Sequence, residues 1–311
     1  MKNFDPSLKQ EFYSNGKLLL TGEYVVLDGA LSLALPTSYG QSLTVETIDE
    51  AKLIWKSLDV DGTVWFENEF ELTNDEILCS VQNDNNLTKR LIQILNVTKQ
   101  LNPEFLNNKI GYKVITKLDF PRNWGLGSSS TLINNIANWA KVDAFTLLEK
   151  TFGGSGYDIA AAQHNLPILY NIINGKESSK EVKLNWNFTN KLFFIHLNKK
   201  QNSREGIAHY RSQIKNAPLA LNKVSEITSK IIDCKHLQEF EVLISQHENI
   251  ISNIINLKPI KELLFQDYLG AIKSLGAWGG DFILVTGEYE SIDYFRKKGF
   301  DTIIPFKDII K

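Results

Sequence analysis

The chain has 311 residues, of which 43% are hydrophobic and 23% charged, and its formal net charge is −2. These values are typical of a globular protein and argue against binding to nucleic acid driven by charge, and no apolar run is long enough to span a bilayer. We therefore expect neither nucleic acid nor a membrane as a partner. The length predicts two domains, which we place at residues 1–175 and 176–311. Residues 1–6 contain no hydrophobic signal region, and Cys79 and Cys234 are interpreted as buried, reduced thiols, so the sequence predicts a cytoplasmic protein.

The first half of the chain contains strand-like and helix-like patterns. Within residues 11–75, apolar and polar residues alternate in short runs, which is typical of half-buried antiparallel strands. A helix is predicted from a cap at Asn85 or Asn86 to Gln100, and Pro103 ends it. The elements predicted next are a strand over 113–120, a helix over 130–141, a helix from the cap Asp143 to Phe152, a helix over 158–163 and a strand over 168–173.

The second half is richer in predicted helices. The polar stretch 174–183 predicts a hinge between two lobes. His236 and His247 fall on a predicted surface helix, and the five histidines lack the spacing of metal ligands. Strands and helices mix without regular alternation, so the predicted fold class is α+β. The predicted elements are strands over 191–197, 282–286 and 302–304 and helices over 203–215, 218–233, 235–254, 259–275 and 290–298.

A loop rich in glycine and serine, Gly-Leu-Gly-Ser-Ser-Ser at 125–130, joins a predicted strand to a predicted helix. Its glycines allow the backbone to approach a ligand closely, and the N–H groups at the start of the helix can bind a phosphate. No Gly-Lys-Ser/Thr closes it as in the P-loop of common NTPases, and the third glycine of a dinucleotide fingerprint is missing. Alone, the loop predicts either phosphate binding or an ordinary helix-capping turn.

Three further segments carry residues of chemical interest. Lys17, at the start of the apolar run in residues 16–29, either points into a cleft or is solvated at a strand end. Asp158 follows the glycine-rich turn 153–156 and either caps a helix or faces a cleft, where it could orient or deprotonate an attacking oxygen. Residues 276–281, Gly-Ala-Trp-Gly-Gly-Asp, permit close backbone approach to a phosphate or to a neighbouring strand.

Together these segments resemble the GHMP kinases, the family named for galactokinase, homoserine, mevalonate and phosphomevalonate kinases. Residues 16–24 resemble the family's first motif, 125–130 its ATP-phosphate loop and 276–281 its third motif. The three occur in the family's order, and the resemblance covers nearly the whole chain. It implies a two-lobed α+β fold, with an N-terminal lobe like the second domain of ribosomal protein S5 and a ferredoxin-like C-terminal lobe.

Within the family, phosphomevalonate kinases are the most similar. The similarity lies in Glu-Tyr at 23–24, Ser-Gly-Tyr-Asp at 155–158 and Gly-Gly-Asp at 279–281. The run Gly-Tyr-Asp-Ile-Ala at 156–160 also resembles a bacterial subgroup of uncharacterised members known by that pentapeptide. The resemblance implies an ATP-dependent, Mg²⁺-dependent phosphotransferase that acts on a small molecule.

The resemblance also implies a role for each matching residue. Asp158 matches the catalytic aspartate and Lys17 the lysine near it. Mg²⁺ would be held by Ser128 or Ser129, with Glu149 as the candidate carboxylate. ATP would contact Gly125, Leu126, Gly127, Ser128, Ser129, Ser130, Gly279 and Gly280, and the acceptor would contact Glu23, Tyr24, Ser155 and Arg204.

The identity of the acceptor stays open at this point. Trp278 stands where the third motif usually has a small residue, so its ring is expected to narrow or reshape the site. Lys199, Lys200 and Arg204 either hold a negative group of the acceptor or form a solvated turn. The alternatives to phosphomevalonate are mevalonate, another small alcohol or a sugar, and a non-catalytic ATP-binding sensor is a further alternative. A homodimer is considered as one oligomeric state.

Overall fold

The computed structural model describes residues 9–73, 76–79, 85–107, 110–214 and 217–311. The expectation of no signal region at residues 1–6 therefore lies outside the described residues. No helix within the described ranges is both long enough and apolar enough to cross a membrane. The chain forms two compact units: unit 1 contains residues 1–16, 39–122 and 127–163, and unit 2 contains residues 17–38, 123–126 and 164–311. The domain division at residue 175 stays a prediction.

Unit 1 contains a twisted strand layer covered by helices. The order of its strands is β5-β4-β3-β6-β2, and neighbours are antiparallel except β3 and β6, which are parallel. Burial alternates along β3 and β4, as the alternating sequence predicts. Its complete strands are β3 (Lys52–Leu58), β4 (Val64–Leu72), β5 (Ile77–Cys79) and β6 (Gly111–Leu118). Two longer strands belong to it in part: β1 (Gln10–Thr21) up to residue 16, and β2 (Ser32–Ile48) from residue 39 onward.

The helices of unit 1 begin at residues whose side chains cap them. The Asn85 side chain accepts a hydrogen bond from the Thr88 N–H at 2.7 Å, and Asp143 accepts one from the Thr146 N–H at 2.7 Å. Both caps were predicted and are confirmed. The helices are α1 (Asn86–Leu101), α2 (Ser128–Ala140), α3 (Ala144–Thr151) and α4 (Tyr157–Gln163). They cover an apolar core that includes Leu53, Trp55, Phe70, Leu95, Ile133, Ile136 and Leu147.

In unit 2 the polar stretch 174–183, over which a hinge is predicted, contains a strand, and its role as a hinge stays a prediction. Strands β7 (Ile168–Ile173) and β8 (Lys176–Glu181) form an antiparallel hairpin there, and β7 also pairs with the first residues of β2. Asn174 (φ 52°) and Gly175 (φ 74°) form the two-residue turn, both in the left-handed region that Asn-Gly adopts in tight hairpins. Every residue of β8 is exposed. The polar composition of this stretch indicated a linker, whereas the Asn174-Gly175 pair is typical of a tight hairpin turn, which is what the structure contains.

Four further strands of unit 2 form an antiparallel sheet of order β10-β11-β9-β12. With helices between β9 and β10 and between β11 and β12, this is the ferredoxin-like arrangement that was expected. The strands are β9 (Leu192–His196), β10 (Ile272–Ser274), β11 (Phe282–Thr286) and β12 (Ile303–Pro305). The helices are α5 (Ser203–Gln213), α6 (Ala217–Ile232), α7 (Leu237–Ile255), α8 (Ile260–Leu264), α9 (Asp293–Lys297) and α10 (Phe306–Ile309).

The long helix predicted over 259–275 is wrong. Only α8 is helical, and the chain then turns into β10, which pairs with β11. Gly270 marks the change, because a Cβ atom there would collide with the Thr286 carbonyl oxygen. The cysteine prediction holds in part: Cys234 is buried, Cys79 is partly exposed, and both are free thiols.

Candidate functional site

Lys17 is bound to the Gly/Ser loop through both its backbone and its side chain. It lies in β1, where its N–H donates to the Leu126 carbonyl oxygen at 2.9 Å. Its Nζ atom donates to the Gly125 carbonyl oxygen at 2.8 Å. The half-buried ammonium is therefore held at the start of the loop. Of the two alternatives for Lys17, the solvated strand end does not describe this side chain.

Asp281 reaches the same glycine from the third motif. A Cβ atom built on Gly125 would lie 2.5 Å from Asp281 Oδ2 and 2.7 Å from Oδ1, so the carboxylate fills the space beside the glycine. Burial raises the pKa of the Asp281 carboxyl, and the Lys17 ammonium opposes part of that rise. The sequence analysis assigned Asp281 no role of its own. Its place against Gly125 makes it a member of the site.

The third motif adopts strained, left-handed backbone geometry. Trp278 (φ 52°) and Asp281 (φ 50°) both lie in the region that glycine prefers. The Asp281 N–H donates to the Lys199 carbonyl oxygen at 2.6 Å, and the Gln201 N–H donates to Asp281 Oδ1 at 3.3 Å. A Cβ atom on Gly280 would lie 2.6 Å from the Lys199 oxygen. The close approach that these glycines allow is thus to residues 199–201.

The Trp278 ring does not project from this motif into solvent. It is 2% exposed and packs in an apolar cluster with Tyr24, Val25 and Tyr210. Its carbonyl oxygen accepts a hydrogen bond from Gln201 Nε2 at 2.6 Å. The bulky residue of the third motif is therefore a core residue that packs against the first motif.

The base of the loop is anchored on the four-stranded sheet of unit 2. The His196 Nε2 atom lies 3.0 Å from the Asn123 carbonyl oxygen. The Trp124 ring meets Phe282 edge-on, with centroids 5.5 Å apart, and also lies beside the His196 ring. These aromatic contacts fix residues 123–126, the part of the loop that belongs to unit 2.

The rest of the loop starts a helix in unit 1. Gly127 (φ 93°) is the N-cap of α2 and has no side chain with which to cap the first N–H groups of that helix. Ser129 is exposed and Ser128 half-buried. Ser130 is buried, and its hydroxyl donates to the Gly127 carbonyl oxygen at 2.8 Å. The serines thus divide into one that stabilises the turn and two at the surface of the helix start.

The remaining predicted residues of unit 1 lie on α3 and α4. Asp158 is half-buried in the first turn of α4, and its Oδ1 accepts from the Ile159 N–H at 3.1 Å. Helix α4 packs against α2, where Gln163 Nε2 donates to Asn134 Oδ1 at 2.9 Å. Ser155, just before α4, is 9% exposed, whereas Glu149 is exposed on α3. Asp158 is thus carried by a helix that packs on the helix of the loop, and Ser155 lies in the turn that leads into it.

The predicted acceptor residues of unit 2 differ in exposure. Tyr24 is 8% exposed and stacks on the Tyr210 ring of α5, with centroids 5.6 Å apart. Arg204 is exposed in the first turn of α5, where its N–H donates to Asn202 Oδ1 at 3.1 Å. Glu23 is completely buried. Its carboxylate pairs with the Lys273 ammonium rather than facing solvent.

The partners of Glu23 include a histidine that sequence analysis misplaced. His247 is completely buried in α7, so its prediction as a surface residue is wrong; His236, before the first turn, is exposed as predicted. The Gly22 N–H donates to His247 Nε2 at 2.9 Å, which explains the burial of this imidazole. The neighbouring Glu248 and Lys273 complete a buried cluster. The mostly polar run Ile-Ser-Gln-His-Glu at 244–248 gave no sign of such a partner.

The described residues hold no group of three or more His, Cys, Asp or Glu side chains arranged to bind a metal ion. Mg²⁺ is commonly held by one or two protein ligands together with substrate phosphates. The surface serines at the start of α2 and a single carboxylate fit that mode of binding. They do not fit a metal cage made by the protein alone.

Neither the known family models nor the curated proteins match this sequence. Solved structures do match along nearly the whole chain. The mevalonate kinase of Methanococcus jannaschii is 14% identical with a TM-score of 0.69, covering 96% of this chain and 98% of that one. The phosphomevalonate kinase of Streptococcus pneumoniae, solved with phosphomevalonate and AMPPNP, is 16% identical with a TM-score of 0.69, covering 94% and 99%. The galactokinase of Lactococcus lactis, solved with galactose, is 14% identical with a TM-score of 0.66, covering 94% and 89%.

The chain has the GHMP kinase fold. This confirms the α+β, two-lobed fold class that was predicted from the three motifs. At 14–16% identity the likeness is one of fold.

Proposed function

We propose that the protein is a GHMP-type kinase, which transfers the γ-phosphoryl group of ATP to a small molecule and is most like phosphomevalonate kinase. The observation that carries the proposal is the meeting of three motifs at one glycine. Lys17 of the first motif donates to the Gly125 carbonyl oxygen, and Asp281 of the third motif fills the space beside the Gly125 Cα atom. A merely structural loop gives no reason for a lysine and a carboxylate to converge on it.

The ATP phosphates would bind at the start of α2. The N-cap residue Gly127 has no side chain to occupy the first N–H groups of the helix, and the helix dipole favours negative charge there. Gly127, at φ 93°, lets the backbone turn so that those groups face a ligand. The Ser128 and Ser129 hydroxyls lie at the same end and would contact phosphate oxygens. Gly279 and Gly280 of the third motif are further proposed contacts of the nucleotide.

Mg²⁺, when bound, would neutralise charge on the transferring phosphates. Ser129, and in addition Glu149, are the residues that we propose to hold it. Both belong to unit 1, where α3 packs against α2. Glu149 is exposed, so its carboxylate is accessible to a hydrated ion.

Phosphoryl transfer depends on positioning and charge neutralisation more than on covalent help from the protein. In this role Lys17 would polarise the acceptor oxygen or offset the repulsion between two anions. Asp158 would orient the acceptor and take its proton if the acceptor is an alcohol. If the acceptor is itself a phosphate, no strong base is needed and Asp158 mainly orients. Tyr24, Ser155 and Arg204 are the proposed acceptor contacts.

A mevalonate or sugar kinase is the second candidate. The observation that favours it is the fold similarity to mevalonate kinase, whose TM-score of 0.69 equals that of phosphomevalonate kinase. The two free thiols favour a cytoplasmic location, which remains part of the proposal.

The test is ATP consumption by the purified protein with mevalonate, phosphomevalonate, homoserine and galactose, with and without Mg²⁺. We expect turnover with one of these acceptors and its loss in Asp158→Ala. Asp143→Ala is the matched control, because Asp143 caps α3 as Asp158 would cap α4. Tight ATP binding without turnover on any acceptor would instead identify a nucleotide sensor.

A further inference from the structure

A cluster of four ionisable side chains is buried in unit 2. Glu23 lies in the turn after β1, His247 and Glu248 lie on α7, and Lys273 lies on β10. Each is at most 3% exposed. The Lys273 ammonium pairs with Glu23 Oε1 and lies 3.4 Å from Glu248 Oε2, and it also donates to the Ser274 carbonyl oxygen at 2.8 Å. One cation is thus shared by two carboxylates out of contact with water.

The other two members hold backbone on each side of this ion pair. His247 Nε2 accepts from the Gly22 N–H and must therefore be unprotonated. Glu248 Oε1 accepts from the Ser274 N–H at 3.0 Å and from its hydroxyl at 2.6 Å. The cluster consequently fixes the two residues that flank the pair in sequence, one before Glu23 and one after Lys273.

Burying such charges is costly, and an apolar replacement often stabilises a fold as well. The position of the cluster suggests why it is present. Glu23 belongs to the segment 17–23, whose other end is Lys17. Lys273 begins the segment 273–281, whose other end is Asp281. At one end of the two segments Glu23 pairs with Lys273, and at the other end Lys17 and Asp281 both lie against Gly125.

The ends of the two segments that lie away from the ion pair are Lys17, the proposed catalytic lysine, and Asp281. Lys17 Nζ is bonded to Gly125, and Asp281 lies against the same glycine. The turn that contains Glu23 is strained, with Tyr24 at φ 64° and no room for a side chain at Gly22. A strained turn keeps its shape only where its surroundings impose it. The buried ion pair of Glu23 with Lys273 is one such constraint on this turn, together with the hydrogen bond from the Gly22 N–H to His247.

We propose that Glu23 and Lys273 are positioning residues, which hold the first motif against the third so that Lys17 remains on the Gly125 carbonyl oxygen. Glu23 then acts without touching the acceptor. The catalytic part of this inference rests on the proposed kinase function, whereas the placement of Lys17 does not.

The test uses the full chain with Glu23→Gln and with the neutral double variant Glu23→Gln/Lys273→Met, which leaves no unpaired charge from the pair. The matched control is Glu226→Gln/Lys230→Met, which removes an exposed ion pair of 2.6 Å on α6. The first readout is the rate at which N-hydroxysuccinimidyl acetate acetylates Lys17, followed by peptide mass spectrometry well below the melting temperature. The second is kcat and KM for ATP with the acceptor that the wild-type protein uses.

We expect acetylation of Lys17 to be about tenfold faster in the double variant, the effect of losing one hydrogen bond of a charged group. Asp281→Asn should raise the same rate, and the control pair should leave it unchanged. kcat should fall about tenfold while KM for ATP changes little, since the backbone of the phosphate loop is intact. Rescue in Glu23→Asp should be partial, because the shorter side chain draws the turn out of place.

An unchanged acetylation rate in a double variant that melts like wild type would overturn the proposal, since the cluster would then serve stability alone. Failure of both Glu23 variants to fold would do the same. If the wild-type protein phosphorylates no acceptor, the proposed function fails, but the acetylation of Lys17 still decides this inference.

Discussion

The Asp281 carboxylate occupies the space that a side chain on Gly125 would need. A Cβ atom there would lie 2.5 Å from Asp281 Oδ2, well inside van der Waals contact. The absence of a side chain at Gly125 and the presence of a carboxylate at Asp281 are therefore two halves of one arrangement. Each can be tested by changing the other.

Gly125→Ala should displace Asp281 and disturb the hydrogen bond from Lys17. We expect a loss of stability of about 2–3 kcal/mol, of which about 1 kcal/mol is the cost of a positive φ for alanine. ATP affinity should fall in parallel, measured by calorimetry. The control is Gly175→Ala, where φ is 74° against 67° at Gly125 but no atom lies within 4 Å of the new Cβ atom. Equal losses in the two variants would mean that Asp281 is not in the way.

Asp158→Asn should abolish most turnover if the carboxylate orients or deprotonates the acceptor. A general base contributes roughly 10²–10⁴-fold, so we expect a fall in kcat of at least about 100-fold. If Asp158 only caps α4, turnover should persist and the free energy of unfolding should fall by about 1 kcal/mol or less. Urea unfolding and kcat measured on the same preparation separate the two readings.

The free energy of unfolding should depend on pH through the titration of Glu23. Burial raises the pKa of Glu23 to about 7, although Lys273 opposes the rise. An acid whose pKa is higher in the folded state stabilises the fold below its unfolded pKa of 4.5, and this stabilisation is lost as the pH rises toward 7. Burial also raises the pKa of Glu248, so Glu248 changes the stability with pH in the same direction as Glu23. Burial lowers the pKa of His247, so His247 changes it in the opposite direction.

Because these groups overlap, the variant must isolate Glu23. Glu23→Gln cannot titrate, so its stability relative to wild type should improve between pH 4.5 and 7, by roughly 1–3 kcal/mol. Chemical unfolding at several pH values measures the difference. A constant difference across this range would show that Glu23 keeps the same charge in the folded and unfolded states.

Trp278→Ala should destabilise the protein by about 3–5 kcal/mol, the usual cost of removing a buried tryptophan ring. The reason is its place in the apolar cluster with Tyr24 and Tyr210. Trp278→Phe keeps much of the aromatic ring and removes a buried indole N–H for which the described residues provide no hydrogen-bond acceptor. We expect that change to cost less than about 2 kcal/mol in thermal or urea unfolding. Similar losses in both variants would show that the N–H is bonded in solution.

Much of the fold was readable from the sequence because local signals agreed with tertiary structure. The caps at Asn85 and Asp143 begin α1 and α3 where the polar-to-apolar change indicated them. The prediction failed where tertiary packing overrode a local pattern. The residues after Leu264 keep a helical spacing of apolar side chains, yet they enter a strand because β11 provides an open edge.

The candidate site was readable in part. The order of three motifs indicated Lys17 and the Gly/Ser loop as site residues, and in the structure the Lys17 side chain donates a hydrogen bond to Gly125 of that loop. The buried partners were not readable. Lys273 and His247 pair with residues about 225–250 positions earlier in the chain, and no local pattern encodes such pairs. In the sequence Asp281 is only the last residue of a glycine-rich run, and nothing in that pattern predicts its contact with Gly125.

The hairpin strand β8 has a bearing on self-association. Its sequence, Lys-Glu-Ser-Ser-Lys-Glu, looks self-complementary for antiparallel pairing between two copies. A two-fold axis perpendicular to a sheet, however, places each residue opposite one of the same parity. The register centred on residue 177 places Glu177 opposite Glu177 of the second copy, and the register centred on 178 places Lys176 opposite Lys180. The register centred on 179 places Glu177 opposite Glu181, and the one centred on 180 places Lys180 opposite Lys180 of the second copy. Like charges directly opposite are unfavourable, so two-fold symmetry disfavours pairing of two copies through β8, although its sequence looks self-complementary.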